Sequence, residues 1–485
     1  MTEIFLHNTM TGRTEAFKPS RRGLLGMLGL GRPAVSMYHC GPTVYDYAHI
    51  GNLRAYVFAD TLKRVMQAAG YRAKQVINIT DVGHLTSDAD TGEDKMEKAK
   101  KREHTSAWNV AKFYTDAFFA DLAALNIDTA GTKFPRATDF IKEQIALVRE
   151  LERKGFTYRT SDGIYFDTFR FSGYGKLGKI DVKGLREGER IGVNAEKKNA
   201  TDFALWKFSP KASGTDGGEK RDMEWKSPWG VGFPGWHIEC SAMAAAILGT
   251  PIDIHTGGID HIPVHHNNEI AQSEAATGHE FVRYWMHSAF VNVDGGKMAK
   301  SEGNFITLRT LAERGYSPMA YRYFLLGARY STPMNFTWEA LDAAATAYKR
   351  FATTMSALPM KGGRVDQTLY DKALLFIAND LDTPKALALG WDVLKMEDKD
   401  ISPADRFATL AAIGHLLGLD KPYEYDKYEF EKGAEFPKKI TSLAQERKEA
   451  RVAKDWKKSD ELRDAIAELG YEITDTPTGY TLSKK

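Results

Sequence analysis

A strand–helix–strand pattern near the start of the chain constrains its fold most strongly. Ala34–His39 is short and largely apolar, as is typical of a buried strand. From Gly51, apolar residues recur every three to four positions until Gly70, which predicts an amphipathic helix, and a second strand is predicted over 72–79. The pattern therefore predicts a βαβ unit in a parallel sheet. Thr80, just after the second strand, is expected at the sheet edge where α/β proteins bind ligands.

Composition excludes several classes of protein. The chain has 485 residues, 43% hydrophobic and 27% charged, which is typical of a globular protein with more than one domain. Its net charge of +2 means that any nucleic-acid surface must be a local patch. Two cysteines argue against a disulfide framework and favour a reduced, cytoplasmic setting.

No targeting or membrane-spanning segment is expected. The N-terminus lacks a signal-peptide pattern, and the Gly/Leu-rich run at 23–31 is too short to cross a bilayer, which takes about 20 residues. This run is interpreted as a hairpin tip or loop, with a partner-binding loop as the alternative. We therefore expect no membrane partner.

The two cysteines are candidate metal ligands. Cys40 directly follows the first predicted strand, and Cys240 lies 200 positions later. His265 and Glu269 are four residues apart, so that on a helix they share a face. Two thiolates, an imidazole and a carboxylate suit zinc better than magnesium or calcium. Two buried structural cysteines and a helix-capping His/Glu pair would explain the same residues, and spacing alone does not decide.

Two further motifs suit a phosphate-rich ligand. His49-Ile-Gly-Asn52 lies at a predicted helix start, where backbone N–H groups and the helix dipole favour an anion. Lys297-Met-Ala-Lys-Ser301 places two lysines on a loop after the strand-like segment Phe290–Val293, which suits a triphosphate. Alone, the first motif could be a plain helix N-terminus and the second a surface loop. The pair, in this order, is more specific than either.

Together these motifs resemble the paired signatures of class I aminoacyl-tRNA synthetases. The stretches at 40–45, 235–243, 255–260 and 265–269 resemble the cysteinyl-tRNA synthetase family, and the resemblance runs from about residue 3 to residue 482. It implies an α/β fold with a Rossmann-type parallel-sheet catalytic domain that carries an insertion. It also implies activation of L-cysteine by ATP to cysteinyl-adenylate, and transfer of cysteine to the 3′ end of cysteine tRNA.

The resemblance also implies roles for individual residues. The family's zinc ligands, one zinc per chain, fall on Cys40, Cys240, His265 and Glu269. The residues expected to be catalytic are His49, Asn52, Lys297 and Lys300. Those expected to bind cysteine or ATP are Gly41, Thr43, Gly51, Thr80, Trp236, Asp260, Lys300 and Ser301. ATP is expected to bind with Mg²⁺, and the protein is expected to be a monomer.

The domain divisions expected from the residues and the resemblance are six. They are the two halves of the catalytic domain (1–125 and 226–305), a connective insertion (126–225), a tRNA stem-contact region (306–345), a helical bundle (346–425) and a C-terminal anticodon-binding unit (426–485). Between Pro437 and Lys458 there are eight basic and three acidic residues, and Trp456 offers a surface for base stacking. A solvated helix face is the alternative interpretation of this run.

The chemistry explains why such a family would use zinc. Zinc prefers a thiolate to a neutral hydroxyl, so that cysteine can be told from serine in the binding step, and no editing domain is expected. Because four protein ligands usually close a zinc site, Glu269 is expected to bind loosely. Two other functions remain open: a cysteine ligase of mycothiol synthesis, against which the basic C-terminal unit argues, and a catalytically inactive RNA-binding paralogue.

Overall fold

The computed structural model describes residues 1–20, 32–83, 94–180, 196–209, 221–293, 305–420, 438–453, 455–476 and 479–484. The chain divides into two compact units, Met1–Tyr425 and Asp426–Lys485. Expectations for the Gly/Leu-rich run and for Lys297, Lys300 and Ser301 lie outside the described residues. Within the ranges given above, no helix has the length and apolar character needed to span a bilayer.

The strands of the first unit belong to four sheets, and those of the second unit form one hairpin. In chain order the strands are β1 (Phe5–Asn8), β2 (Arg13–Ala16), β3 (Ala34–His39), β4 (Arg72–Ile77), β5 (Thr157–Arg159), β6 (Gly163–Phe166), β7 (Phe203–Phe208), β8 (Trp225–Ser227), β9 (Gly230–Pro234), β10 (Ile252–Gly258), β11 (Val282–Ser288), β12 (Val291–Val293), β13 (Met334–Phe336), β14 (Tyr471–Thr476) and β15 (Gly479–Lys484).

Helices make up most of the described residues after residue 336. They are α1 (Ile50–Ala68), α2 (Lys95–Glu103), α3 (Ala107–Ala124), α4 (Ile141–Arg153), α5 (Trp236–Leu248), α6 (His265–Thr277), α7 (Leu308–Glu313), α8 (Pro318–Leu326), α9 (Trp338–Ser356), α10 (Gln367–Ala378), α11 (Thr383–Leu394), α12 (Pro403–Leu417), α13 (Lys438–Val452) and α14 (Trp456–Glu468).

The central sheet is parallel and has the order β11-β10-β3-β4. The predicted βαβ unit is confirmed as β3–α1–β4, with Tyr38 opposite Val76 in register. The edge strand β11 was not predicted. The strand expected at Phe290–Val293 exists as β12, but β12 pairs with β13 instead of joining this sheet, because the chain leaves the sheet after Ser288. The core beneath the sheet includes Tyr38, Val76 and Trp285, all fully buried.

A second, antiparallel sheet of five strands lies within residues 157–234, in the order β5-β6-β7-β9-β8. Trp206 and Phe203 of β7 are buried in its core with Phe166. This core extends to Ile238 of α5 and Ala271 of α6. The inserted residues therefore pack on the same helices that carry part of the candidate site.

Helix α1 is fixed at its start by a capping box and by a buried arginine. The His49 side chain accepts a hydrogen bond from the Asn52 amide, while Asn52 accepts one from the His49 amide. Arg54 is 3% exposed, and its guanidinium donates to four carbonyl oxygens at 2.6–3.0 Å. These carbonyls belong to Ala289, Phe290, Arg329 and Thr332. The first turns of α1 are thereby joined to the segments that lead into β12 and β13.

The second unit consists of α13, α14 and the hairpin β14–β15. Its small core is formed by Ala444, Ile466 and Ile473. Arg447 is 2% exposed, so this member of the basic run belongs to the interior of the unit. Trp456 is 56% exposed and lies 5.4 Å from the Arg451 guanidinium. An exposed aromatic ring beside a cation is compatible with stacking on a nucleic-acid base.

Candidate active site

A cavity of about 630 Å³ lies beyond the carboxyl ends of β3 and β10. Its wall includes Cys40–Asn52, apart from Ile50, which is the segment between β3 and the first turn of α1. We call the part of the cavity wall around Cys240 and His265 the metal end, and the part around His49 and Asn52 the nucleotide end. This is the sheet edge at which the sequence predicted a ligand site.

At the metal end, the structure brings together the four expected zinc ligands. The ligand atoms of Cys40, Cys240, His265 and Glu269 all lie within 4.8 Å of one another. The His265 Nε2 atom is 3.0 Å from Glu269 Oε1, as expected for a pair four residues apart on α6. Ligands at about 2.0–2.3 Å from one zinc ion need only small shifts from such spacing. The donor set and its geometry therefore fit zinc.

The protonation of these groups is shaped by burial and by their neighbours. Burial raises the pKa of the Glu269 carboxyl, but His255 and His265 outweigh it and lower that pKa to about 2. A hydrogen bond from the Cys40 thiol lowers the pKa of the Cys240 thiol to about 7 against the effect of burial. Burial raises the pKa of Cys40 itself. The site therefore holds one anionic carboxylate and one thiol that ionises easily, and metal ligation requires such groups.

Histidines that the sequence analysis did not assign lie behind the ligands. The His255 Nε2 atom is 3.0 Å from Glu269 Oε2, and the Nδ1 atoms of His237 and His265 are 2.8 Å apart. His266 lies 3.3 Å from the Cys40 sulfur and 2.8 Å from His287. Hydrogen bonds of this kind orient metal ligands. The adjacent His265 and His266 in the sequence were the only signal for this layer.

Two overlapping ligand sets are possible at this end. Cys40, His255, His266 and Glu269 also have ligand atoms within 4.8 Å of one another. His255 and His266, however, do not line the cavity, whereas Cys40, Cys240 and His265 do. The set with two thiolates is the softer one and the one that a substrate in the cavity can reach, so it is the better candidate for zinc.

At the nucleotide end, the helix cap determines the form of His49. Because Nδ1 of His49 accepts the Asn52 amide at 3.1 Å, the ring proton is on Nε2. Burial lowers the pKa of His49 to about 4, and the Asp260 carboxylate acts in the opposite direction. His49 is therefore neutral near pH 7. In the first turn of α1 the amides of Ile50 and Asn52 already donate to the Ile306 carbonyl and to His49 Nδ1, so the start of α1 offers an anion the Gly51 amide and the helix dipole.

The remaining expected residues line the same cavity as far as they are described. They are Gly41, Thr43, Gly51, Thr80, Trp236 and Asp260. No residue other than glycine fits at position 41, because a Cβ there would lie 1.5 Å from the Asn78 carbonyl oxygen. The neighbouring Asp81 has a structural role: its carboxylate accepts hydrogen bonds from the amide and hydroxyl of Thr138.

Comparison with known proteins assigns the class. A family model described as the tRNA synthetases class I (C) catalytic domain matches residues 29–346. The solved structure of Mycobacterium tuberculosis methionyl-tRNA synthetase in complex with methionyl-adenylate is similar in fold, with a TM-score of 0.51 at 15% identity over 79% of this chain and 89% of that one. The fold and the matched domain place the chain among the class I tRNA synthetases.

Relatives within that class narrow the assignment. A protein of Burkholderia lata named cysteine–tRNA ligase 1 is 47% identical over 484 residues, covering 99% of this chain and 96% of its own length. A cysteine–tRNA ligase of Treponema denticola is 40% identical and covers 99% of both chains. The chain belongs to the cysteine–tRNA ligase family.

Proposed function

We propose that the protein activates L-cysteine with ATP to cysteinyl-adenylate and transfers the cysteine to the 3′ end of cysteine tRNA. The observation that carries the proposal is that Cys40, Cys240 and His265, which cluster with Glu269, stand in the wall of the cavity that the His49–Asn52 motif also lines. A thiol-binding group and a phosphate-binding motif thus share one space. The substrates named by the relatives agree with that pairing.

The two ends of the cavity would divide the work of substrate binding. Cys40, Cys240, His265 and Glu269 would hold one zinc ion, which prefers a thiolate ligand to a hydroxyl. The outer histidines would hold His265 and Glu269 in place. Glu269 has a bond to His255 available through its other oxygen, and this supports the expectation that it binds zinc loosely. A cysteine-bound crystal structure with a tight four-ligand shell would exclude direct coordination of the substrate.

The activation step needs positioning more than covalent chemistry. A carboxylate oxygen of cysteine forms a bond to the α-phosphorus of ATP, the bond from that phosphorus to the bridging oxygen breaks, and pyrophosphate leaves. His49 Nε2–H and the Gly51 amide would donate to the phosphates. Lys297, Lys300 and Ser301 are proposed to bind the triphosphate with Mg²⁺.

We further propose that α13, α14 and the tail contact the tRNA and that the protein works in the cytoplasm as a monomer. The charge supports RNA binding, since residues 437–458 carry eight basic and three acidic side chains. Two free thiols in the cavity are compatible with a reducing compartment.

Cysteine-dependent exchange of pyrophosphate into ATP tests the proposal directly. We expect exchange with L-cysteine, little with L-serine at the same concentration, and one zinc per chain by elemental analysis. Charging of cysteine tRNA, compared with an amino-sugar acceptor, then identifies the second substrate. Exchange with serine at the same rate, or no exchange with any amino acid, would contradict the proposal.

A further inference from the structure

Lys95 is the only lysine or arginine that lines the cavity among the residues whose positions are described. Adenylate formation brings a carboxylate next to a triphosphate, and these groups repel each other. A cation is therefore most valuable where the two groups meet. Lysines 297 and 300 are assigned above to the triphosphate, which leaves the carboxylate without a cationic partner.

The ammonium of Lys95 lies at the amino-acid side of the cavity. Its Nζ atom is 5.4 Å from the centre of the Trp236 ring and 5.7 Å from that of Tyr45, within the range of cation–π attraction. The Trp236 ring is in turn 4.8 Å from the ring of the ligand His265. Three bonds separate the sulfur of cysteine from its carboxyl carbon, a span of roughly 4 Å. A cysteine whose thiol is at the metal end thus has its carboxylate near Trp236.

The helix that carries Lys95 is firmly attached to the rest of the unit. Asp94 caps α2 by accepting hydrogen bonds from the amides of Met96 and Glu97 at 2.7 and 2.9 Å. Arg221 pairs with Asp94, and Asp222 pairs with Lys100 at 2.9 Å. Met96 is 1% exposed, so the first turn is also fixed by packing. As the first residue of this helix, Lys95 is oriented by its surroundings.

We propose that Lys95 binds the carboxylate of the cysteine substrate and holds it beside the α-phosphate of ATP. Lys95 remains protonated throughout: it donates N–H bonds to the attacking carboxylate and afterwards to the acyl-phosphate oxygens, while the bond changes occur between the carboxylate, the α-phosphate and pyrophosphate. Trp236 and Tyr45 orient the ammonium between their rings. This inference rests on the proposed cysteine activation.

Binding of L-cysteine and of cysteamine separates this role from a structural one. Cysteamine keeps the thiol and the amine but lacks the carboxylate. In zinc-loaded Lys95→Met, we expect the calorimetric dissociation constant for L-cysteine to rise by roughly 10- to 100-fold, the effect of losing a hydrogen bond between charged groups. The constant for cysteamine should change less than about 2-fold, because the lost partner is the carboxylate. Lys95→Arg should restore part of the L-cysteine affinity.

Control measurements separate carboxylate binding by Lys95 from a structural role of this residue and from failure of the proposed function. Lys101→Ala, an exposed lysine on the same helix, should bind both ligands as the wild type does. Equal weakening of L-cysteine and cysteamine in Lys95→Met, or no weakening of either, would overturn the role of Lys95 while leaving cysteine activation intact. A wild-type protein that neither binds L-cysteine nor exchanges pyrophosphate would instead overturn the proposed function, and this inference with it.

Discussion

The metal end and the nucleotide end of the cavity are built in different ways. At the metal end, Cys240, His265 and Glu269 are 2%, 3% and 0% exposed, and they are joined to further histidines. At the nucleotide end, His49 is only half-buried and Asn52 is exposed, and the two are joined by a single helix cap. The ligand groups of the metal end are thus enclosed by protein, whereas the side chains of the nucleotide end are open to solvent on a helix start that Arg54 holds in place.

This difference has a functional consequence. Substitutions at the metal end should lower the zinc content of the protein, since metal affinity depends on the ligands and on the groups that orient them. Substitutions at the nucleotide end should change the rate and leave the metal in place. The predictions below test that division, beginning with the largest effect.

Cys240→Ser should abolish both zinc binding and cysteine-dependent exchange, because a neutral hydroxyl is a poor ligand for zinc. Elemental analysis and exchange measured on the same sample provide the test. Ala242→Ser places the same hydroxyl at another buried position of α5 and should keep its zinc. Full zinc content in Cys240→Ser would mean that the metal uses the set with His255 and His266.

Lys300→Ala should lower cysteine-dependent exchange by roughly 100-fold or more, the scale of losing one charge-stabilising donor. Its zinc content should stay normal. Near-normal exchange would show that Lys300 has no part in the mechanism. Loss of zinc would contradict the expectation that substitutions in the nucleotide-binding motifs leave the metal in place.

His255→Phe should weaken zinc binding by roughly 10- to 100-fold, the usual effect of removing a partner that orients a ligand. The His255 ring stacks on Trp285 with ring centres 4.8 Å apart, and phenylalanine keeps an aromatic ring at this position. It lacks the nitrogen that bonds to Glu269. Zinc transfer to a chromophoric chelator measures the change. His279→Phe, at an exposed position, is the control; equal zinc retention in both variants would show that His255 does not support the metal.

His49→Asn should lower exchange by roughly 10- to 100-fold, since an asparagine that caps the helix through Oδ1 no longer places an N–H donor at the position of His49 Nε2. Asparagine is a good N-cap, so the melting temperature should change little, whereas His49→Ala should lose both the rate and the cap. Zinc content should be normal in each. A lower melting temperature in His49→Asn than in His49→Ala would contradict the separation of these two roles.

The smallest expected effect is on acid stability. The pKa of His49 is lowered to about 4 in the folded state, so the unfolded chain binds an extra proton between about pH 6.5 and pH 4. His49 therefore contributes stability that is present above pH 6.5 and is lost as the pH falls towards 4. The melting temperature of His49→Asn, which lacks this proton, should fall less over that interval. Parallel curves for both proteins would show that His49 titrates normally.

The parts of the fold whose apolar residues recur with one clear period were predictable from the sequence. The apolar strand β3 and the amphipathic helix α1 have local patterns that tertiary contacts do not reverse. Strand β11 was missed because Val282–Ser288 includes an arginine and a histidine, and only its pairing with β10 makes it a strand. Pairing between distant segments is not readable from a single sequence.

The candidate site shows the same limit. Residue types and family motifs were enough to select Cys40, Cys240, His265 and Glu269, and the structure brings them together. Sequence reasoning could not find the layer of histidines behind them, since those contacts join separate strands and helices. Lys95 could not be found in this way, because its position depends on Arg221 and Asp222, more than 120 residues away.

The four carbonyls that accept from Arg54 have a consequence for how the protein is made. They lie 235 to 278 residues after Arg54, so α1 leaves the ribosome long before its anchors exist. Synthesis at about 5–20 residues per second separates the two by at least about ten seconds. During that interval the guanidinium and the first turns of α1 have no native partners in this region. Nascent chains that end before Thr332 should therefore be unable to hold the nucleotide motif in its final geometry, however early it is translated.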